Sequence, residues 1–374
     1  MTPDDGGVVV LVNQGWIGFE QLGLRLQRMG VGVAHLSVGP WSARRVQHRL
    51  WFKDQRECDL SDLTAEFQRI GPEKIVDVLC SEETAAAALE AARQAGLTAP
   101  VIEELRRRVL WGDKLDWSVR LSGTPFRVPT TLEIEGGSGS DKRLPVVFPV
   151  VVKPRVGAGG EGVRLVQDET ELRDLATSSL ESGSFVVQEA REGRVCQYVA
   201  AYRDGEILLD STYESTSRSN QQFGPGSEAQ LLYDRDLRAL GRDLLCFVGG
   251  RGLANIETIL DNEGRHWIID VNLRPWGLCC AYRGVGYNFD EAYLACLNGV
   301  GFPAPNAPRS FRISLFPVAS RVRLVDTGFW QSLRHFLRAA PQAFRDFGSM
   351  YTAWAALGFL GRFVTFRTRG TQGV

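Results

Sequence analysis

Phe148–Gly162 reads FPVVVKPRVGAGGEG. Its apolar, β-branched first half predicts a strand across Pro145–Lys153. The glycines that follow, Gly157, Gly159 and Gly162, match G-x-G-x-x-G in form. A dinucleotide-binding turn needs a helix after those glycines. Here Val163–Val166 (VRLV) reads as a second strand, so the segment predicts a glycine-rich hairpin. Such a loop, with Gly160 also in it, lets backbone N–H groups close over a phosphate chain without side-chain interference. No G-x-x-x-x-G-K-[ST] stretch occurs, which excludes a P-loop. Lys153 ends the strand beside the loop, where a cation meets phosphate oxygens. Lysine is scarce here: only Lys53, Lys74, Lys114, Lys142 and Lys153 occur in the chain. Lys114, after Asp113, is the second cation at a place where a nucleotide site wants charge.

About a hundred residues on, two apolar strands each carry one acid. Asn255–Leu260 (NIETIL) contains Glu257, and Trp267–Arg274 (WIIDVNLR) contains Asp270. The residues between, Asp261–Gly264, are turn formers, so the pair predicts a hairpin with the two carboxylates side by side. Asn272 lies one same-face step further. Two like charges inside an apolar sheet need a cation. Oxygen ligands from one or two carboxylates, completed by nucleotide phosphates, suit Mg²⁺. Arg274 follows within two residues and can hold a phosphate or acyl oxygen.

The rest of the chain frames these segments. Its 374 residues predict two or three structural units at roughly 100–200 residues each. A hydrophobic share of 44% is enough for a sizeable core, and a net charge of −1 leaves no global field to drive nucleic-acid or membrane binding. The seven cysteines are irregularly spaced without a C-x-x-C pair, and predict free thiols in a reducing cytoplasm. Cys279 and Cys280 are assigned to packing. The four histidines form no ligand-spaced pair. MTPDDGGVVVLV reads as a lead-in to a first strand, not a signal peptide. No run reaches the ~20 apolar residues of a membrane span.

Val8–Val12, Phe19–Met29 and Val31–Val38 form a β-α-β pattern. Lys74–Leu79 adds a strand, and Ser81 and Gly96 bracket an alanine-rich helix. Glu103–Leu121 is helical in character, and Gly136–Ser140 is a flexible connection. Arg235–Gly249 and Asn288–Leu297 predict further helices. Tyr213–Gly226 (YESTSRSNQQFGPG) reads as a polar loop, in which Arg218 is a candidate for holding a substrate carboxylate. Residues 311–374 give no readable chemistry. A helical cap, a dimer contact or a peripheral membrane contact near Met350–Leu360 and the following arginines are the alternatives there.

From Asp113–Lys114 through FPVVVKP, the glycine loop, VVQEAREG at Val186–Gly193, Glu257 and DVNLR, the chain resembles the ATP-grasp superfamily. The resemblance implies an α/β N-terminal domain (1–110) and an α+β ATP-grasp domain (111–310). In that domain two subdomains sandwich the nucleotide, the lid being about 111–187. A C-terminal extension (311–374) follows. It further implies that Lys114, Lys153 and the loop glycines contact ATP, that Gln188 and Glu189 lie at the adenine hinge, and that Glu257, Asp270 and Asn272 hold Mg²⁺, with Mn²⁺ an alternative. Arg274 would stabilise the transferred phosphoryl group. The chain departs from the pattern where a ribose-binding glutamate is common: Val195 stands nearest that place, with Gln197 and Glu192 as substitutes. Leu273 replaces the usual proline, and Asp270 a commoner glutamate.

The implied reaction is ATP-dependent activation of a small carboxylate as an acylphosphate, followed by joining to an amine with release of ADP and phosphate. A carboxylase-like or kinase-like chemistry and a non-catalytic nucleotide-binding scaffold are the alternatives.

Overall fold

The computed structural model describes residues 2–39, 51–135, 146–178, 184–218, 223, 226–303, 312–319, 329–357 and 359. The expected connection at 136–140 and the arginines beyond Leu360 lie outside the described residues.

Three sheets build the molecule. The first is parallel, with strands β1 (Val8–Asn13), β2 (Gly32–Ser37), β3 (Asp54–Glu57) and β4 (Ile75–Cys80) in the order β3-β2-β1-β4. The apolar runs at β1 and β4 are buried on both faces, as a parallel sheet requires. The helix Ile17–Arg28 crosses between β1 and β2. The helix Glu82–Ala95 leaves β4 with Ser81 at its N-cap position and ends on Gly96 in the left-handed conformation, φ 76°. Ser81 makes no capping hydrogen bond; its hydroxyl lies 3.3 Å from that of Thr84.

The second sheet is small and antiparallel: β5 (Thr131–Glu135), β6 (Val150–Pro154), β7 (Arg164–Val166) and β8 (Ser184–Glu189), ordered β5-β8-β6-β7. The glycine segment is the connection between antiparallel β6 and β7. It is therefore a hairpin, and no helix follows it. β6 begins only at Val150, later than the apolar run predicts, because Pro149 has no N–H to give the ladder. A core of its own, around Val150, Val152, Val166, Leu172 and Val187, holds this sheet together.

The third sheet has six antiparallel strands: β9 (Arg194–Arg203), β10 (Glu206–Arg218), β11 (Gly226–Leu232), β12 (Arg251–Leu260), β13 (His266–Asn272) and β14 (Arg312–Ser314), ordered β13-β12-β9-β10-β11-β14. One expectation is corrected here. Of the stretch read as a polar loop, residues 213–218 and Gly226 are strand: β10 runs to Arg218, which pairs with Gly226 at the start of β11. Polar residues on alternate positions of a half-buried sheet look like a loop when read singly. The helical stretch Glu103–Leu121 falls in two helices, Ala99–Gly112 and Lys114–Leu121. Asp113 breaks them apart by capping the second: its Oδ1 accepts the N–H of Leu115 (3.0 Å) and Asp116 (3.1 Å).

The described residues after 311 pack on the body. β14 completes the large sheet, and the helix Phe329–Phe347 packs on the helix Ile17–Arg28. One apolar cluster runs from Val9 and Phe19 through Tyr213 and Trp276 to Phe316, Phe336 and Tyr351. The first sheet, the large sheet and the C-terminal helices thus share a core. Among the described residues no helix is long and apolar enough to cross a membrane.

Candidate active site

The hairpin β12–β13 brings the acids together. Glu257 pairs directly with Asp270, and Asn255 with Asn272. The turn is set by Asp261, whose carboxylate accepts the N–H of Glu263 (3.0 Å) and Arg265 (2.8 Å) and Trp267 Nε1 (2.8 Å). Among the described residues no three His, Cys, Asp or Glu side chains cluster as a metal centre. The Asn272 amide oxygen, one same-face step from Asp270, is the candidate third donor. Asn255 Oδ1 is buried without a hydrogen-bond partner and lines the same cleft. An array of two carboxylates and amide oxygens, with an acceptor left over, fits a hard divalent cation.

His266, whose side chain reaches the back of this hairpin, is structural. It lies 3.0 Å from Thr258 Oγ1 and 2.9 Å from Asp234 Oδ2.

Lys153 crosses from the small sheet to the hairpin. Its Nζ donates to Gln188 Oε1 and to the carbonyl of Ile269, both at 2.9 Å. Burial lowers its pKa to about 8, with Lys114 pushing the same way and Asp270 and Glu257 opposing. Gln188 is positioned in turn by donating to Thr131 Oγ1 (2.9 Å). Lys114 opens its helix and donates to the carbonyl of Gly157 (2.7 Å). The Asp113–Arg155 ion pair, at 2.7 Å, fixes the backbone beside it.

Gly159, Gly160 and Gly162 all have positive φ, between 68° and 74°. A Cβ on Gly159 would stand 2.4 Å from Cη2 of Trp16, so the loop tip lies flat against that indole. Ala158 N–H donates to Glu83 Oε1 at 2.7 Å.

Arg274 is not a free cation. Its Nε donates to both oxygens of Glu82 (2.7 and 2.8 Å), and its Nη2 to Asn272 Oδ1 (3.2 Å). Burial works against its charge, but the nearby carboxylates, Glu82 first with Asp270 and Glu83, together raise its pKa. The guanidinium is therefore charged and fixed in direction.

Lys114, Lys153, Gln188, Glu257, Asp270, Asn272, Arg274 and the loop residues 157–160 line one cleft of about 510 Å³; Gly162, Glu82 and Glu83 are not among its lining residues. Glu189 lines it too, as do the apolar side chains of Trp16, Ile17, Trp276, Leu278, Leu315 and Val318. Glu189 accepts from Arg191 (2.7 Å), whose guanidinium lies 3.7 Å above the Trp267 ring centre. Val195 and Gln197 both line the cleft. Both polar ends of Gln197 are engaged, the oxygen by Tyr213 and the nitrogen by Ser215 Oγ (3.1 Å). Arg218 is at the end of β10, and its side chain lies outside what is described. The Cys279 and Cys280 side chains are buried. The hydrogen bond the Cys280 thiol shares with Cys279, which favours its protonated form, and burial push that thiol well up, which leaves it no nucleophile.

Sequence reading missed Trp16, Glu82 and Glu83. The two glutamates look like ordinary helix N-terminal acids, and only the fold brings them to Arg274 and the glycine loop.

Residues 143–275 match the family model of the carbamoyl-phosphate synthase L chain, ATP binding domain. Over 151 residues the chain is 30% identical to the carbamoyl phosphate synthase large chain of Clostridium perfringens, a match covering 38% of this chain and 14% of that one. The chain thus spans about a seventh of the length of that curated relative. Two solved structures are similar over most of both chains. One is N5-carboxyaminoimidazole synthetase from Staphylococcus aureus complexed with ADP (TM-score 0.63, 15% identity, 81% of this chain and 80% of that one). The other is L-amino acid ligase from Bacillus licheniformis (TM-score 0.58, 15% identity, 80% and 75%). The match at 143–275 holds the glycine loop, both acids and Arg274, so that this segment is similar to the ATP binding domain of that family, and the fold likeness to the two solved structures extends over four-fifths of the chain.

Proposed function

We propose that this protein is an ATP-dependent ligase that activates a small carboxylate as an acylphosphate and joins it to an amine, releasing ADP and phosphate. The observation that carries the reading is the direct pairing of Glu257 with Asp270, with Asn272 beside them, in the same cleft as Lys153 and Arg274.

Glu257, Asp270 and Asn272 would hold Mg²⁺, which offsets phosphate charge during transfer. Lys153 and Lys114 bind the phosphate chain as fixed cations, and the Gln188–Glu189 segment borders the base. The substrate carboxylate attacks the γ-phosphorus, the bond to the β-phosphate oxygen breaks, and ADP leaves. Arg274, aimed by Glu82, offsets the charge on the acylphosphate. The amine then attacks the acyl carbon, phosphate departs, and the amine proton is lost to solvent. The glycine loop, packed on Trp16, excludes water that would otherwise hydrolyse the intermediate. The apolar side chains lining the cleft, among them Ile17, Trp276, Leu278 and Leu315, support a substrate with a hydrophobic body. The names of the relatives agree with this chemistry, since a synthetase and an amino acid ligase are among them.

The test is turnover of ATP by the purified protein with Mg²⁺ and pools of amino acids and carboxylic acids, quantifying ADP and AMP. ADP release that needs a pool and is lost in Lys153→Ala supports the ligase. AMP release would replace the acylphosphate with an adenylate, and ADP without any new amide would point to the carboxylase-like or kinase-like chemistry.

A further inference from the structure

The helix Phe329–Phe347 and the helical stretch 349–357 that follows it have two unlike faces. The inner face is bolted down. Phe336 packs on Phe316 with ring centres 5.0 Å apart, and Tyr351 accepts a hydrogen bond from Gln21 Nε2 at 2.8 Å. Asp346, the acid in this helix, is turned inward and accepts from Gln342 (2.6 Å) and Arg283 (3.4 Å).

The outer face is apolar where soluble helices are polar. Trp330, Leu337 and Phe344 are 78%, 61% and 53% exposed. They are spaced by seven residues, so they form one stripe along two-turn steps. Met350 and Leu357 extend the exposed apolar surface beyond the helix end. Arg334, Arg338 and Arg345 are exposed between them. Among the described residues no carboxylate pairs with these three arginines, and no acid is exposed from 330 to 350. The chain as a whole has a net charge of −1, so this face is a local departure.

We propose that this face docks on an anionic lipid surface, with the helix lying in the interface plane. Trp330, Leu337 and Phe344 would enter the headgroup–acyl boundary, and the arginines would meet lipid phosphates. A protein partner would need an apolar groove rimmed with acids. A bilayer supplies both the apolar layer and the negative charge without any shape requirement, which suits a stripe of three different large side chains. The same element touches a helix of the cleft wall: Gln21, which bonds Tyr351, belongs to the helix whose first residues, Ile17 and Gly18, line the cleft.

The experiment is co-sedimentation of the full chain with vesicles of phosphatidylcholine alone or mixed with phosphatidylglycerol. Binding to the mixed vesicles is expected, weakening as salt rises. Replacing Arg334, Arg338 and Arg345 by glutamine should lower the partition coefficient about fivefold per arginine. Leu337→Glu with Phe344→Glu should abolish binding, while far-ultraviolet dichroism and the thermal shift produced by MgATP stay unchanged. Trp330→Ala, at a more exposed position, is the second variant should the glutamates unfold the helix, and should lower binding at least severalfold. No binding to anionic vesicles, or equal binding by all variants, overturns the proposal. So does a wild-type dimer that Leu337→Glu dissociates, since a second copy would then cover this face.

Discussion

The guanidinium of Arg274 is gripped by the carboxylate of Glu82, 192 residues earlier in the chain, with Nε 2.7 and 2.8 Å from its two oxygens. This pair ties the parallel sheet's unit to the end of β13. It also holds Arg274 beside Asn272 in the wall of the cleft.

Removing Glu82 leaves a buried cation without its partner. Glu82→Ala should lower the unfolding free energy by about 3 kcal/mol, the low end for breaking a buried pair. Glu82→Gln, which keeps an acceptor, should cost less and still depress turnover. Urea denaturation checks both. A loss below about 1 kcal/mol in Glu82→Ala would mean that Arg274 has another stable arrangement.

Glu257 and Asp270 are like charges on directly paired residues, and a metal cation bound between them would offset their repulsion beyond what Lys153 supplies. Asp270→Asn should therefore remove the rise in melting temperature that MgATP produces. That rise follows the ligand concentration over its dissociation constant, so a titration by differential scanning fluorimetry reads it directly. An unchanged MgATP shift in the variant would remove Asp270 from the metal site.

Lys153 has its pKa lowered to about 8 by burial, so above that pH the free protein carries it neutral. Phosphate binding favours the charged form. Nucleotide affinity should hold below pH 8 and fall above it, approaching about tenfold per pH unit, with proton uptake on binding. The unliganded protein runs the other way. Its folded state binds fewer protons than the unfolded chain in this window, so its stability rises between pH 8 and the ordinary lysine range. Calorimetry in two buffers of different ionisation enthalpy measures the proton uptake, and Lys153→Met should abolish it.

The glycine loop is fastened at two points, Ala158 N–H on Glu83 and Gly159 on Trp16. Glu83→Ala removes one hydrogen bond to a carboxylate, so amide exchange across 157–162 should quicken about tenfold or more. Gly159→Ala meets both the indole and a positive φ of 68°. Adding Trp16→Ala should relieve the clash but leave about 1 kcal/mol of backbone penalty. Hydrogen exchange read by mass spectrometry separates the cases, and identical exchange in Glu83→Ala would show that the bond does not hold the loop.

The chemistry of the cleft was largely legible in the sequence, for local reasons. An apolar strand, a short run of glycines and a second strand form a hairpin, because a parallel return needs a crossover of a dozen or so residues. Two apolar strands joined by Asp261–Gly264 set Glu257 against Asp270 through hydrogen bonds that span few residues. Less of the scaffold was legible. β3, β5 and β11 carry Asp, Glu, Gln or Ser on many of their positions, and their strand state is decided by neighbouring strands that supply the missing hydrogen bonds.

What the sequence by itself determined is the set of elements that carry the candidate phosphate- and metal-binding groups, because periodicity and turn chemistry are written within about ten residues. What only the tertiary structure decided is the company those groups keep. Arg274 held by Glu82, the glycine loop held by Glu83 and Trp16, and the cleft wall that includes Leu315 and Val318 all join residues far apart in the chain. Their juxtaposition follows from one shared hydrophobic core, and burial is a collective property that no local pattern encodes.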